Sequence, residues 1–213
     1  MKRLFLLLGI VLFVGFIFTV SCGEGEEKNT EYYRDGQKIT KAEFKKGGKN
    51  GTIVILHQEG PKKSETVYKD GKKNGMETTW DWKGRKYSEI QYKDDQMHGS
   101  RITYYENGNK RLEANHKDGI KHGKWIDYYD DGKKKFEADY VDGNNNGKRI
   151  GWYANGQKQW ETEWQNDIEN GQSTAWYENG QKKSEGMVKN NDKVGKWTFW
   201  NDKGEVTHSP DYK

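Results

Sequence analysis

Residues 121–132 read KHGKWIDYYDDG, and the pattern returns at a fixed period of 24 residues along the chain. With Gly123 at position 0 of the frame, the same slot holds Gly51, Gly75, Gly99, Gly147, Gly171 and Gly195. Position 3 is β-branched in all seven units, from Val54 and Thr78 through Ile126 to Thr198. Position 5 is aromatic in six of them (Trp80, Tyr104, Tyr128, Trp152, Trp176 and Trp200), with Leu56 in the first. Residues two apart share one face of a strand. Position 9 is a second glycine column, preceded in the central units by Asn107, Asp131, Asn155 and Asn179. Asn-Gly and Asp-Gly between alternating segments signal a hairpin. The returning segment has lysine at position 11, from Lys62 to Lys182, and glutamate at position 14, from Glu65 to Glu185. Small or β-branched residues fill position 15, and position 17 is mostly a ring, as in Tyr68, His116 and Trp164. Position 20 holds Gly, Asp or Asn, the types that tolerate positive φ.

Each unit therefore predicts one hairpin of two short strands. A lone hairpin is marginal, and stacking buries a continuous aromatic ladder. The fold expected is all-β, an elongated array of antiparallel hairpins over residues 31–208, with 209–213 as a short tail. No 3.6-residue periodicity follows the leader, so essentially no helix is expected there. About fifteen strands at ~4.8 Å give a twisted ribbon about 70 Å long. A two-residue Asn-Gly turn would place positions 3 and 5 on the face of the glutamates. A three-residue loop with a bulged glycine shifts the register by one and exchanges the faces. The second choice separates apolar from polar columns better. It predicts positions 3, 5, 13, 15 and 17 on one face, with position 6 and the glutamates on the other.

Composition agrees with a thin core. Only 31% of the 213 residues are hydrophobic, while 14% are aromatic. Four of the seven Phe lie before residue 20. That early segment reads as an export signal over residues 1–21. Lys2 and Arg3 are its basic start, Leu4 to Phe18 its apolar run, and Thr19-Val20-Ser21 its small-residue end. The chain's single cysteine, Cys22, follows at once. The arrangement resembles the lipobox of bacterial lipoproteins, in which the Cys is acylated and becomes the mature N-terminus; Thr19 stands where that family usually has Leu. An ordinary cleaved signal and an uncleaved anchor are the competing readings, the apolar run being a little short for a span of ~20 residues. Residues 22–30 would be the acylated Cys and a polar tether. Removing the leader takes two of the 37 basic residues and leaves 35 against 33 acidic ones, a balance that does not point to nucleic acid.

The units GSRITYYENGNKRLEANHKDGIKHG (99–123) and GKWIDYYDDGKKKFEADYVDGNNNG (123–147) resemble the MORN-repeat variant found in many bacterial proteins, a group that includes YwqK antitoxin-like chains. The resemblance implies an elongated hairpin array used for interactions and no catalytic residues. An exported, lipidated array differs from the cytosolic setting that an antitoxin of an internal toxin needs.

Three constellations bear on chemistry. The glutamate column recurs at every second strand, ~9.6 Å apart, near the upper limit for an inverting glycosidase pair. No unique pair stands out, and pairing with the abundant lysines is the simpler reading. His98 and His122 precede glycines in adjacent units, too far apart to share one zinc ion. Tyr105, Tyr129, Tyr153 and Tyr177 form a row at position 6. They are the candidate interaction surface for protein or glycan, and the alternative is that they stiffen a thin sheet. No catalytic residue, metal ligand or cofactor is predicted. The expected function is a non-enzymatic scaffold, lipid-anchored through Cys22 at the outer membrane or cell surface of a bacterium. The alternative is an antitoxin-like inhibitor that masks a toxin with its sheet.

Overall fold

The computed structural model of the chain describes residues 29–58 and 60–213. The leader and Cys22 lie outside the described residues. The array opens with β1 (Thr30–Arg34), β2 (Gln37–Ile39) and a single-turn helix α1 (Lys41–Lys46). Then come β3 (Gly51–Leu56), β4 (Lys62–Lys69), β5 (Lys72–Trp80), β6 (Lys86–Lys93), β7 (Gln96–Tyr104), β8 (Lys110–Lys117), β9 (Ile120–Tyr128) and β10 (Lys134–Val141). It continues with β11 (Asn144–Trp152), β12 (Lys158–Gln165), β13 (Ile168–Trp176), β14 (Lys182–Lys189), β15 (Asp192–Trp200), β16 (Val206–His208) and β17 (Asp211–Tyr212). From β3 to β16 each strand pairs antiparallel with the next. β1 pairs with both β2 and β3. The hairpin array read from the columns is therefore the fold. Asp211–Tyr212, expected as tail, pair with Gly195 and Lys196 on β15.

Two kinds of turn alternate. Between units the chain makes a two-residue turn, as at Asp118-Gly119, with φ of 51° and 82° and Lys117 opposite Ile120. Two positive φ values match the right-handed twist of the flanking strands. Within each unit the loop is of the three-residue kind expected. Tyr129 N–H donates to the Lys133 carbonyl (2.8 Å), and Gly132 N–H donates back to the Tyr129 carbonyl (3.0 Å). Gly132 has φ of 87°, the left-handed conformation a three-residue hairpin needs at its last loop position.

The face assignment that was to follow from this loop is inverted. Tyr128 pairs with Lys134, but the next pair is Asp127 with Phe136, which leaves Lys135 unopposed. The same bulge falls at position 12 in every complete hairpin from β3–β4 to β13–β14. Two one-residue shifts, one in the loop and one at position 12, restore the original parity. Position 3 therefore lies opposite glutamate throughout. One continuous row runs Val54, Glu65, Thr78, Glu89, Ile102, Glu113, Ile126, Glu137, Ile150, Glu161, Thr174, Glu185, Thr198. The opposite face carries positions 2, 4, 13, 15 and 17, and is the better covered of the two. Ala114 and Ala138 are wholly buried there, and Leu112, His116, Val188 and Trp197 nearly so. No large side chain among the described residues is completely buried. This is the thin aromatic core that the composition predicts. Its rings meet in clusters such as Trp125 with His116 and Tyr140, and Phe136 with Trp160.

The helix α1 is a second correction. Thr40 accepts from the Glu43 amide (3.1 Å) while the Glu43 carboxylate accepts from the Thr40 amide (2.8 Å), a complete capping box. Its one buried residue, Phe44, lies against Tyr32 and Tyr68 with ring centroids 5.1 and 6.3 Å apart. α1 thus covers the aromatic face where the array begins, as an atypical end unit does in repeat proteins.

Candidate interaction surface

On the glutamate face each carboxylate of the column is held by a lysine. Lys110 and Lys134 reach Glu113 and Glu137 three residues ahead at 2.9 and 2.6 Å. The Lys134 amine also sits 5.7 Å over the Trp152 ring of the next unit, and the same contact recurs with Lys62, Lys86, Lys158 and Lys182. Where position 5 is tyrosine, its hydroxyl donates to the glutamate of the preceding unit. Tyr128 does so to Glu113 (3.1 Å), and Tyr104 to Glu89. Burial, reinforced by these carboxylates, pushes both phenols up to about 12. Lys86 and then Tyr104 hold Glu89 below the usual carboxyl value, and Lys110 and then Tyr128 do the same for Glu113. Burial pushes the Glu137 carboxyl up, but Lys124 and Lys134 outweigh it and the group stays low. A general acid working near neutral pH needs a raised pKa, so these carboxyls are poised the wrong way for that role. The column is a ladder of ion pairs on a half-exposed surface, each worth about 0–1 kcal/mol.

The four candidate tyrosines are half-buried at the loop edge, and every hydroxyl is engaged. Tyr105, Tyr129, Tyr153 and Tyr177 donate to the carbonyls of Tyr128, Trp152, Trp176 and Trp200 at 2.7, 2.7, 2.9 and 2.9 Å. Each acceptor is the position-5 carbonyl of the following unit. His57 makes the equivalent contact, its Nε2 lying 3.1 Å from the Trp80 carbonyl. Asn107, Asn155 and Asn179 add a second tie, donating to the carbonyls of Asp130, Glu178 and Asp202 at 2.7–2.8 Å. The row of tyrosines is thus a series of latches between successive loops. Two latch rings are further covered by the bulged lysine of their own unit, Lys135 over Tyr129 (5.7 Å) and Lys183 over Tyr177 (5.6 Å).

One joint lacks the latch. Position 6 of the unit 75–98 is Asp81, whose carboxylate folds back onto its own loop. It accepts from the Lys83 amide (2.9 Å), the Arg85 amide (3.0 Å) and Arg85 Nε (2.7 Å). A cleft of about 350 Å³ opens beside it, lined by residues that include Trp82, Tyr87, Tyr104, Tyr105 and Arg111. Of the four tyrosines only Tyr105 lines this cleft. The histidines enter the turns instead. His98 Nδ1 lies 3.1 Å from Asp118 and His122 Nδ1 3.5 Å from Asp142. Among the described residues, no group of three or more His, Cys, Asp or Glu is placed to hold a metal ion.

Sequence reasoning singled out neither Asp81 nor Trp82. The signal was the column itself. Trp82 occupies position 7, where the other units carry Gln, Glu, Asp or Ala, and Asp81 stands in the position-6 column between His57 and the first tyrosine.

Comparison with known families gives a match to the MORN repeat variant over residues 97–118, 121–142 and 169–190. No curated protein matches the chain. The matched segments 97–118 and 121–142 each run from the strand before the loop to the strand after it, β7–β8 and β9–β10, and 169–190 covers the same part of β13–β14. Three units of the array are thus similar to MORN-variant repeats.

Proposed function

We propose that the chain is a non-enzymatic interaction scaffold held at a bacterial envelope membrane by a lipid on Cys22. The observation that carries the scaffold reading is the unbroken row from Val54 to Thr198, which keeps one register through every joint from β3 to β15. Such a sheet offers a long surface of fixed spacing, with two files of turns along its edges. Loops positioned by a rigid framework are the usual carriers of recognition. The anchor rests on the basic, apolar and small-residue succession that ends at Cys22. One acyl chain holds only weakly and two or more hold stably, so the reading calls for multiple acylation.

Fractionation of cells tests the anchor. Wild-type protein should sediment with membranes and incorporate labelled palmitate, and Cys22→Ala should do neither. Equal membrane association of the two contradicts it. Single Glu→Gln changes along the glutamate column test the scaffold. Small, equal effects are expected. One change that alone abolished turnover of an envelope glycan would replace the scaffold with an enzyme.

A further inference from the structure

The cleft beside Asp81 lies where the file of loop latches is broken. Trp82 is 70% exposed and Tyr87 is 54% exposed, and both face solvent beside one cavity. Tyr87 and Arg111 occupy position 12 of consecutive units, the bulged position, which turns its side chain outward in each hairpin. Other units place lysine or glutamine there, apart from Arg111 itself. The local charges do not cancel. Asp81 and Glu106 both pair with Arg85, at 2.7 and 3.1 Å, and Lys86 pairs with Glu89 at 2.6 Å. Lys83, whose amine lies 4.9 Å over the Trp82 ring, and Arg111 have no carboxylate partner among the described residues.

We infer that this cleft is a docking site for an acidic segment of a partner protein, which seats an apolar or aromatic side chain between Trp82 and Tyr87 and a carboxylate against Arg111. Trp, Tyr and Arg are the residues enriched at the energetic centres of protein interfaces, where a guanidinium takes a carboxylate in a two-pronged grip. The volume is at the low end of ligand pockets, ~300–1,000 Å³, a size that suits an anchoring side chain better than a length of polymer. The missing latch has a part in this. A tyrosine at position 81 would reach toward the Tyr104 carbonyl, as Tyr105 reaches the Tyr128 carbonyl, and would occupy the mouth of the cleft.

The inference rests on the scaffold reading but fails separately from it. The full chain, purified in detergent, is titrated into a fluorescently labelled random copolymer of glutamate and tyrosine, with polygalacturonate as an anionic saccharide of similar charge. The expected result is saturable copolymer binding that falls about tenfold in Trp82→Ala and in Arg111→Ala and is unchanged in Lys183→Ala, which alters the same bulge position elsewhere. Trp82 and Arg111 are exposed, so neither change threatens the fold. Copolymer binding of equal strength in all variants overturns the site while the scaffold stands. No copolymer binding by the wild type, or binding of polygalacturonate alone with loss in the same variants, overturns the partner class.

Discussion

The joint between units 99–122 and 123–146 and the joint before it, between 75–98 and 99–122, have the same register and differ at the loop edge. In the first, Tyr105 crosses to the Tyr128 carbonyl and Asn107 to the Asp130 carbonyl. In the second, Asp81 turns inward, and what crosses is Arg85, whose contact with Glu106 is long (3.1 Å) and whose partner side chain is 84% exposed. On the glutamate face the two joints are alike, since Tyr104 reaches Glu89 as Tyr128 reaches Glu113. The sheet is thus continuous through both, and the difference is confined to how firmly neighbouring loops are tied. A half-buried hydroxyl that satisfies a backbone carbonyl is worth about 1 kcal/mol, whereas an exposed ion pair is worth little and is screened by salt.

The largest effect expected from perturbing this comparison is at a regular joint. Tyr129→Ala removes a half-buried ring and leaves the Trp152 carbonyl without its donor, and should cost about 2 kcal/mol. Tyr129→Phe keeps the ring and should cost about 1 kcal/mol. Urea denaturation with the two variants side by side measures both. If Tyr129→Phe matched the wild type, the latch would be packing alone.

The reverse substitution should have a smaller effect of opposite sign. Asp81→Tyr installs the missing latch toward the Tyr104 carbonyl and should stabilise the array by about 0.5–1 kcal/mol. It should also weaken binding at the cleft, which the copolymer titration detects. A destabilised variant would mean that the inward carboxylate of Asp81 matters more to its own loop than a latch would to the joint.

The smallest difference between the joints is expected on the glutamate face, at high pH. Tyr104 and Tyr128 have folded pKa values raised to about 12 from an ordinary 10.0. A raised value means that the neutral phenol is favoured in the folded chain. Its contribution is complete below pH 10 and is lost as pH climbs from 10 to about 12. Tyrosinate absorbance during alkaline titration should lose its two latest-titrating groups together in the double variant Tyr104→Phe, Tyr128→Phe, while Tyr33, Tyr68 and Tyr92, also raised, remain. Normal titration of both would remove the hydroxyl–glutamate contact from either joint.

Much of this architecture is legible in the columns, and the reasons for the exceptions are specific. The glycines and the Asp and Asn residues at the turns mark positive φ directly, so the turns and the three-residue loop could be read before the fold was seen. The bulge at position 12 could not. Its occupants are Lys63, Tyr87, Arg111, Lys135, Gln159 and Lys183, which share no backbone preference. Because a strand's faces alternate at every residue, that one unmarked insertion moved Ile126 and Tyr128 to the glutamate face. The capping box at Thr40 and Glu43 was visible as a Thr-x-x-Glu pattern, but a single turn of helix leaves no 3.6-residue period to find. The tyrosine row is legible in the columns, whereas its use is not. A latch is defined by a carbonyl 23 residues further on, and its position depends on the register.

Hydrogen exchange read by mass spectrometry across the array tests the latch most directly, because it reports each joint separately in one unaltered protein. The peptide that covers the loop of residues 81–85 should exchange faster than the peptides at 105–109, 129–133 and 153–157, whose loops carry a tyrosine latch. In Asp81→Tyr the difference should vanish. Uniform protection along the whole loop edge in the wild-type chain would contradict the account, since it would mean that the tyrosine latches add nothing to the joints they cross.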